Sequence, residues 1–253
     1  LGGFVAATIL RGIAFVPLPT TLLAQVDASI GGKVAVNHPR GKNLIGAFHQ
    51  PRLVVADTAT LASLPPRERA AGWAEVIKAG MILDAELFAL LEREVEALLC
   101  LAPAPTAAAI GRAMALKAAV VSEDEQESGR RAILNYGHTV GHGIEAATRY
   151  ARYLHGEAVA VGMVAAASIA VELGLLAPEA AERQNALLTR FGLPIQVPEA
   201  DAGAVRAAMT LDKKAVAGRL TWILPTAIGR VTICRDVPEV VVDRALARVL
   251  GPG

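Results

Sequence analysis

The sequence predicts an α/β edge over residues 1–64 followed by a mainly α-helical domain over residues 65–253. Three observations carry that expectation. Helix-like and strand-like stretches alternate at the start of the chain, as they do along the edge of an α/β layer. Leu64-Pro65-Pro66 then punctuates the chain, and the stretches beyond it have helical length and periodicity. Three of the five histidines, His138, His142 and His155, fall in one short window, which suits an open metal site completed by a carboxylate from elsewhere. That window makes the helical part a metal-binding domain.

In order, Leu1 to Leu10 reads as a small-residue helix and Ala14 to Val16 as a short strand. Thr20 to Ser29 reads as a helix entered through Pro19-Thr20-Thr21, and Leu53 to Ala56 as a second strand. Helices are then expected at about 67–83, 84–99, 105–124, 137–149, 156–175 and 178–191, the last ended by Phe191-Gly192-Leu193-Pro194, a glycine stop followed by proline. Leu220 to Leu224 and Arg230 to Cys234 flank Pro225-Thr-Ala-Ile-Gly229 as a hairpin, and a closing helix begins near Val240.

Bulk properties narrow the function classes. A net charge of +1 with mixed signs and few aromatics leaves no nucleic-acid footprint. Cys100 and Cys234 lack metal-ligand spacing, so a reducing cytoplasm is the expected setting. The apolar run from Leu1 to Val26 is broken by Arg11, Pro17 and Pro19, and that from Ala158 to Val171 is too short to span a bilayer, so both are expected to be buried. The opening Leu1-Gly2-Gly3-Phe4 has neither an initiator methionine nor a signal-peptide charge pattern, and reads as the middle of a longer chain.

His138 and His142 are four apart, so on a helix they share a face and can bind one zinc ion. Gly137, Gly141 and Gly143 surround them, each costing a helix about 1 kcal/mol relative to alanine. Close approach of a ligand or of a second backbone would offset that cost. The alternative is a tightly packed helix crossing with two incidental histidines. Glu75 and Lys78, three apart on one helical face, read on their own as a surface ion pair. Of 25 basic residues only six are lysine, namely Lys33, Lys42, Lys78, Lys117, Lys213 and Lys214. A chain that meets its surface charge with arginine leaves lysine for tasks suited to a compact ammonium. Lys33, after Ser29-Ile-Gly31-Gly32, and Lys42, in Gly41-Lys42-Asn43, sit in turn-like settings that can present a cation to an anion.

Several long motifs, in order, resemble the 3-dehydroquinate synthase family: Val16-Pro-Leu-Pro-Thr-Thr-Leu-Leu-Ala-Gln-Val-Asp27-Ala-Ser-Ile-Gly-Gly-Lys33, Gly41-Lys-Asn-Leu-Ile-Gly-Ala-Phe48, Ala74-Glu-Val-Ile-Lys78, Leu134-Asn-Tyr-Gly-His-Thr-Val-Gly-His142 and His155-Gly-Glu-Ala-Val-Ala-Val-Gly-Met163. The resemblance implies a dehydroquinate synthase-like fold, in which residues 1–64 are the C-terminal part of a nucleotide-binding α/β domain and roughly the first hundred residues of a family member are lacking. It implies conversion of 3-deoxy-D-arabino-heptulosonate 7-phosphate to 3-dehydroquinate and phosphate, a lyase reaction of the shikimate pathway, with NAD and zinc, or cobalt, as cofactors. A small-molecule sugar phosphate is then the partner, in a cytoplasmic homodimer. Sister sugar-phosphate cyclases, a metal-dependent alcohol dehydrogenase and an inactive fragment are the other readings.

The resemblance also implies residue roles. Glu75, His138 and His155 match the zinc ligands, which moves His142 from ligand to substrate contact and proton transfer. Lys78 and Asn135 match further substrate contacts, as do Arg11, Lys33, Asn43, Lys117, Arg131 and one or both of Lys213 and Lys214, together supplying the charge-assisted hydrogen bonds that phosphate and carboxylate require. Thr20, Thr21, Asp27, Lys33, Lys42 and the segment Thr60-Leu61-Ala62-Ser63 match cofactor contacts; for the threonine pair, ordinary helix capping is compatible with that role. His38 and His49 are read as structural or solvent-facing.

Overall fold

Nearly every residue of the helix His155–Glu172 faces protein rather than solvent, and the rest of the C-terminal part is arranged around it. The computed structural model describes residues 1–38, 41–127, 129–215 and 220–251, with the backbone alone at 41, 42 and 211–215. Among the described residues are nine α-helices and four strands: α1 Gly2–Thr8, β1 Lys33–His38, β2 Gly41–Phe48, α2 Pro66–Leu83, α3 Ala85–Leu99, α4 Pro103–Glu123, α5 His138–Ala147, α6 His155–Glu172, α7 Pro178–Arg190, α8 Ala202–Ala215, β3 Trp222–Ala227, β4 Arg230–Cys234 and α9 Glu239–Val249. Helix α6 touches α2, α5, α7, α9 and β3.

The expected helices appear within a few residues of their predicted ends. Helix α2 starts on Pro66, where proline's missing N–H costs no helical hydrogen bond. Asp84 caps α3, its Oδ1 accepting from the N–H groups of Glu86 and Leu87 at 3.0 and 3.1 Å. The terminal hairpin pairs β3 with β4 antiparallel, and β3 runs on through Pro225 to Ala227. Two helices, α4 and α6, are long and apolar enough to cross a membrane by length and composition, but α6 has 72% of that window buried inside the protein. Its apolarity is that of a core helix.

The N-terminal part departs from expectation in several places, the first being that the apolar run from Leu1 to Val26, expected to be buried, leaves Leu1, Leu10 and Leu18 exposed. Ala14 to Val16 and Leu53 to Ala56 are extended but are not strands. They run side by side on two bonds, Arg52 N–H to the Phe15 carbonyl at 3.0 Å and Val55 N–H to the Pro17 carbonyl at 3.1 Å. Pro17 and Pro19 have no N–H to extend the ladder. Residues expected to be turns around Lys33 and Lys42 instead open the two strands of an antiparallel hairpin, β1–β2. The helix expected at 20–29 is there as a short helical stretch ending in a π turn, Ala24–Ala28. Helix α8 falls where the sequence pattern predicts no element. It is capped by Asp201, whose Oδ1 accepts from Ala204 N–H at 2.5 Å, and it buries Val205 and Met209 one turn apart.

Candidate metal centre

The candidate ligand residues sit where three helices meet. Glu75 lies mid-way along α2, His138 is the first residue of α5 and His155 the first of α6. Glycines bring these helices together: a Cβ on Gly162 would lie 1.8 Å from the Gly137 carbonyl oxygen, and one on Gly156 would lie 1.8 Å from that of Ala71. A second backbone is therefore what offsets the cost of glycine here, and a tight helix crossing coexists with a histidine cluster that is not incidental.

One side-chain atom from each of Glu75, His138 and His155 lies within 4.8 Å of the other two. Glu75 Oε1 is 4.0 Å from His138 Nε2 and 3.8 Å from His155 Nε2, and it is buried with no hydrogen-bond partner. An orphaned carboxylate oxygen facing two imidazole nitrogens is costly unless a cation sits between them. Nitrogen and oxygen donors in a set of three, with a position left open, fit zinc of the catalytic kind. Behind the rings, His138 Nδ1 faces the Tyr136 carbonyl at 3.2 Å and His155 Nδ1 faces Glu145 Oε2 at 3.2 Å, so both Nε2 atoms are aimed at the common point.

Burial pushes His138 well below the ordinary histidine range, helped by Lys78 and the two neighbouring histidines. Burial works the same way on His155, but the hydrogen bond to Glu145 and the charges of Glu75 and Glu145 outweigh it and raise that ring. Lys78 Nζ lies 2.5 Å from Glu75 Oε2, with both side chains buried. The surface ion pair suggested by their spacing is thus a buried pair, with one carboxylate oxygen on the ammonium and the other left for the histidines. His142 lies beside the ligands, its ring centroid 5.3 Å from that of His138 and 6.2 Å from that of His155.

The other expected residues form two groups nearby. Lys117 Nζ meets the Asp27 carboxylate and its carbonyl oxygen. Lys33 pairs with Glu127, whose other oxygen accepts from Asn135 Nδ2 at 2.8 Å. Arg131 is buried and donates to the carbonyls of Glu125 and Gly31, the latter at 3.0 Å, whereas Arg130 pairs with Glu123 at the surface. Arg11 and Asn43 are exposed, and neither bonds to the histidine cluster among the described residues. The side chains of Lys42, Lys213 and Lys214 lie outside the described residues.

Of the expected cofactor residues, Thr20 is exposed, and Thr21 Oγ1 accepts from Ala24 N–H at 3.2 Å in the capping role. Thr60 donates to the Asp57 carbonyl and Ser63 to the Thr60 carbonyl in a 3-10 turn, while Ala62 is exposed. Leu61 is wholly buried, backbone included, and presents no surface for a cofactor contact. His49 bonds the Ile13 carbonyl and stacks on Phe15, a structural part as expected. Three residues with structural work here, Gln25, Glu127 and Glu145, are not among those the sequence pattern singles out. Gln25, fully buried, stitches the Pro19 and Asp57 carbonyls together; a polar residue amid Leu22 and Val26 is its only signal.

Comparison with known proteins adds to this geometry. The family profile described as 3-dehydroquinate synthase N-terminal matches residues 1–71, and that described as 3-dehydroquinate synthase C-terminal matches residues 72–215. A 3-dehydroquinate synthase of Nostoc punctiforme is 55% identical over 96% of this chain and 68% of its own length, and one of Synechococcus sp. is 53% identical over 99% and 69%. Among solved structures, 2-epi-5-epi-valiolone synthase from Streptomyces hygroscopicus subsp. jinggangensis, with NAD+ and Zn2+ bound, aligns with a TM-score of 0.90 at 30% identity, covering 98% of this chain and 69% of that one. A 2-deoxy-scyllo-inosose synthase complexed with carbaglucose-6-phosphate, NAD+ and Co2+ aligns at 0.88 and 32%, covering 98% and 70%.

Proposed function

The chain belongs to the 3-dehydroquinate synthase family, and we propose that it carries the metal centre and much of the substrate site of that activity, converting 3-deoxy-D-arabino-heptulosonate 7-phosphate to 3-dehydroquinate and phosphate. The observation that carries this reading is the orphaned Glu75 oxygen facing His138 and His155, with a lysine on the other Glu75 oxygen.

Glu75, His138 and His155 hold the ion, and Thr20, Thr21, Asp27, Lys33, Lys42, Thr60, Ala62 and Ser63 contribute to the cofactor side. When bound, NAD would supply reversible hydride transfer with the carbon bearing one ring hydroxyl, and zinc would supply acidification of that hydroxyl and stabilisation of negative charge on the reacting oxygens. A ketone held transiently at that carbon would acidify the neighbouring C–H, so that its proton and the phosphate could be lost together; after reduction back to the alcohol the ring would open and then close by an intramolecular aldol step. His142, beside both ligand rings, holds the substrate alcohol and moves its proton. Lys78 reaches a substrate oxygen from beside Glu75.

Lys33 and Asn135 already share an oxygen anion, the Glu127 carboxylate, which supports their role in gripping substrate oxygens. Lys117, Arg131, Arg11, Asn43 and one or both of Lys213 and Lys214 complete the cationic and hydrogen-bonding set for phosphate and carboxylate. A cytoplasmic homodimer fits the two free cysteines and the exposed small residues of α4. Helix α6, the other small-residue helix, packs internally.

The test incubates the full-length protein with zinc, catalytic NAD and the heptulosonate phosphate. Equal amounts of phosphate and dehydroquinate are expected. Absence of phosphate release from folded, metal-loaded protein would turn the reading to a sister cyclase or a dehydrogenase.

A further inference from the structure

Glu145 belongs to no ligand, lysine or substrate motif of this chain, yet it is buried beside the metal centre. It lies seven residues after His138 and three after His142, so α5 presents all three on one face. Helix α6 packs against that face, and its first residue, His155, brings Nδ1 to 3.2 Å from Glu145 Oε2.

The two ligand imidazoles are thus held from behind by different acceptors. His138 leans on the Tyr136 carbonyl, two residues away, an acceptor that the backbone fixes and no side-chain substitution removes. His155 leans on a carboxylate from another helix. The His155 side chain is also the more exposed of the pair, 27% against 13%, so packing restrains it less. Without an acceptor at Nδ1, nothing selects the tautomer whose lone pair at Nε2 points toward Glu75.

We propose that Glu145 is a positioning residue of the metal centre: through Nδ1 it fixes the orientation and tautomer of His155 and adds the negative charge that makes this imidazole a stronger donor to the ion. This deepens the metal-centre reading above and rests on it. Glu145 takes no part as a ligand, because it meets His155 on the side of the ring opposite Nε2.

Zinc affinity measured by competition with a chromophoric chelator, together with the visible spectrum of the cobalt-substituted protein, tests the assignment on the full-length protein. Glu145→Ala is expected to weaken zinc binding about 10- to 100-fold and to change the cobalt band pattern, since the His155 ring is free to turn. Glu145→Gln, of equal shape, should lose less, because its amide oxygen still accepts from Nδ1–H while the charge is gone. That variant keeps the test decisive if Glu145→Ala does not fold. Zinc affinity within about twofold of wild type in both variants, with an unchanged cobalt spectrum, would overturn the assignment while leaving the metal centre standing. Loss of zinc as complete as in Glu75→Ala would overturn it differently, by making Glu145 a ligand. A wild-type protein that binds no zinc would remove the metal-centre reading itself.

Discussion

Lys117 donates to both the carboxylate and the main-chain carbonyl of Asp27, tying α4 to the helical turn Ala24–Ala28 across 90 residues of sequence. Two residues assigned to opposite sides of a reaction site, one to substrate and one to cofactor, are therefore each other's partner. The contact holds the Lys117 ammonium from the N-terminal part of the chain.

Burial favours the neutral form of Asp27, but Lys117 and Lys78 outweigh it and hold the carboxyl well below the usual range. A folded value below the unfolded one, about 3.9, means that the stabilisation is fully present above that pH and is lost as pH falls toward the folded value. Asp27→Asn should cost about 1–3 kcal/mol at neutral pH, since the Lys117 ammonium keeps only a neutral partner. Urea unfolding from pH 7 downward should show the gap between wild type and variant constant until about pH 4 and narrowing below it. A gap that widens on acidification would contradict the pairing.

Glu75→Ala and His155→Ala should abolish tight zinc binding, because each removes one of three donors whose atoms converge within 4.8 Å. His142→Ala should keep the metal and slow turnover, because its ring stands beside the ligands without completing their convergence. Equal metal loss in all three variants, measured by metal analysis after dialysis, would restore His138 and His142 as the ligand pair.

Much of this arrangement is legible in the sequence because its signals are local. Proline at the start of α2 and the glycine stop after α7 mark helix ends whatever the tertiary context. The hairpin β1–β2 is not legible: its strands begin at Gly32-Lys33 and Gly41-Lys42, and glycine and lysine are poor strand signals. The ligand set is half legible. Spacing alone pairs His138 with His142, whereas the ion's place depends on where α2 and α6 cross α5, a tertiary fact carried by Gly156 and Gly162. Glu145 shares the helical spacing of His138 and His142, but that spacing does not name its partner on α6, and Glu127 has no periodic signature at all, since its contacts join separate elements.

Tyr136 supplies the carbonyl behind His138 and anchors itself by donating its buried hydroxyl to Gln184 Oε1, at 2.5 Å on α7. Tyr136→Phe should leave that oxygen without its donor and lower unfolding stability by about 1–3 kcal/mol in urea titration. Zinc affinity should stay near wild type, because the carbonyl belongs to the backbone. A large loss of zinc affinity would show that the ring, not the carbonyl, sets His138.

Gly162 carries the crossing of α5 and α6. A Cβ there would meet the Gly137 carbonyl oxygen at 1.8 Å and the Gly141 nitrogen at 3.0 Å, both backbone, with no flexible side chain to yield. Gly162→Ala must push the two helices apart, and with them His138 and His155, whose ring centroids are 5.1 Å apart. Overpacking of this kind costs about 1–3 kcal/mol or more, so both the unfolding midpoint and zinc affinity should fall together. Gly111 provides the contrast: it lies exposed on α4, and a methyl group added to it would have nothing within 4 Å. Gly111→Ala should therefore stabilise by up to about 1 kcal/mol and leave zinc binding alone. If Gly162→Ala matched wild type in both measurements, the helices would not be in backbone contact, and the ligand geometry drawn from that contact would fail with it.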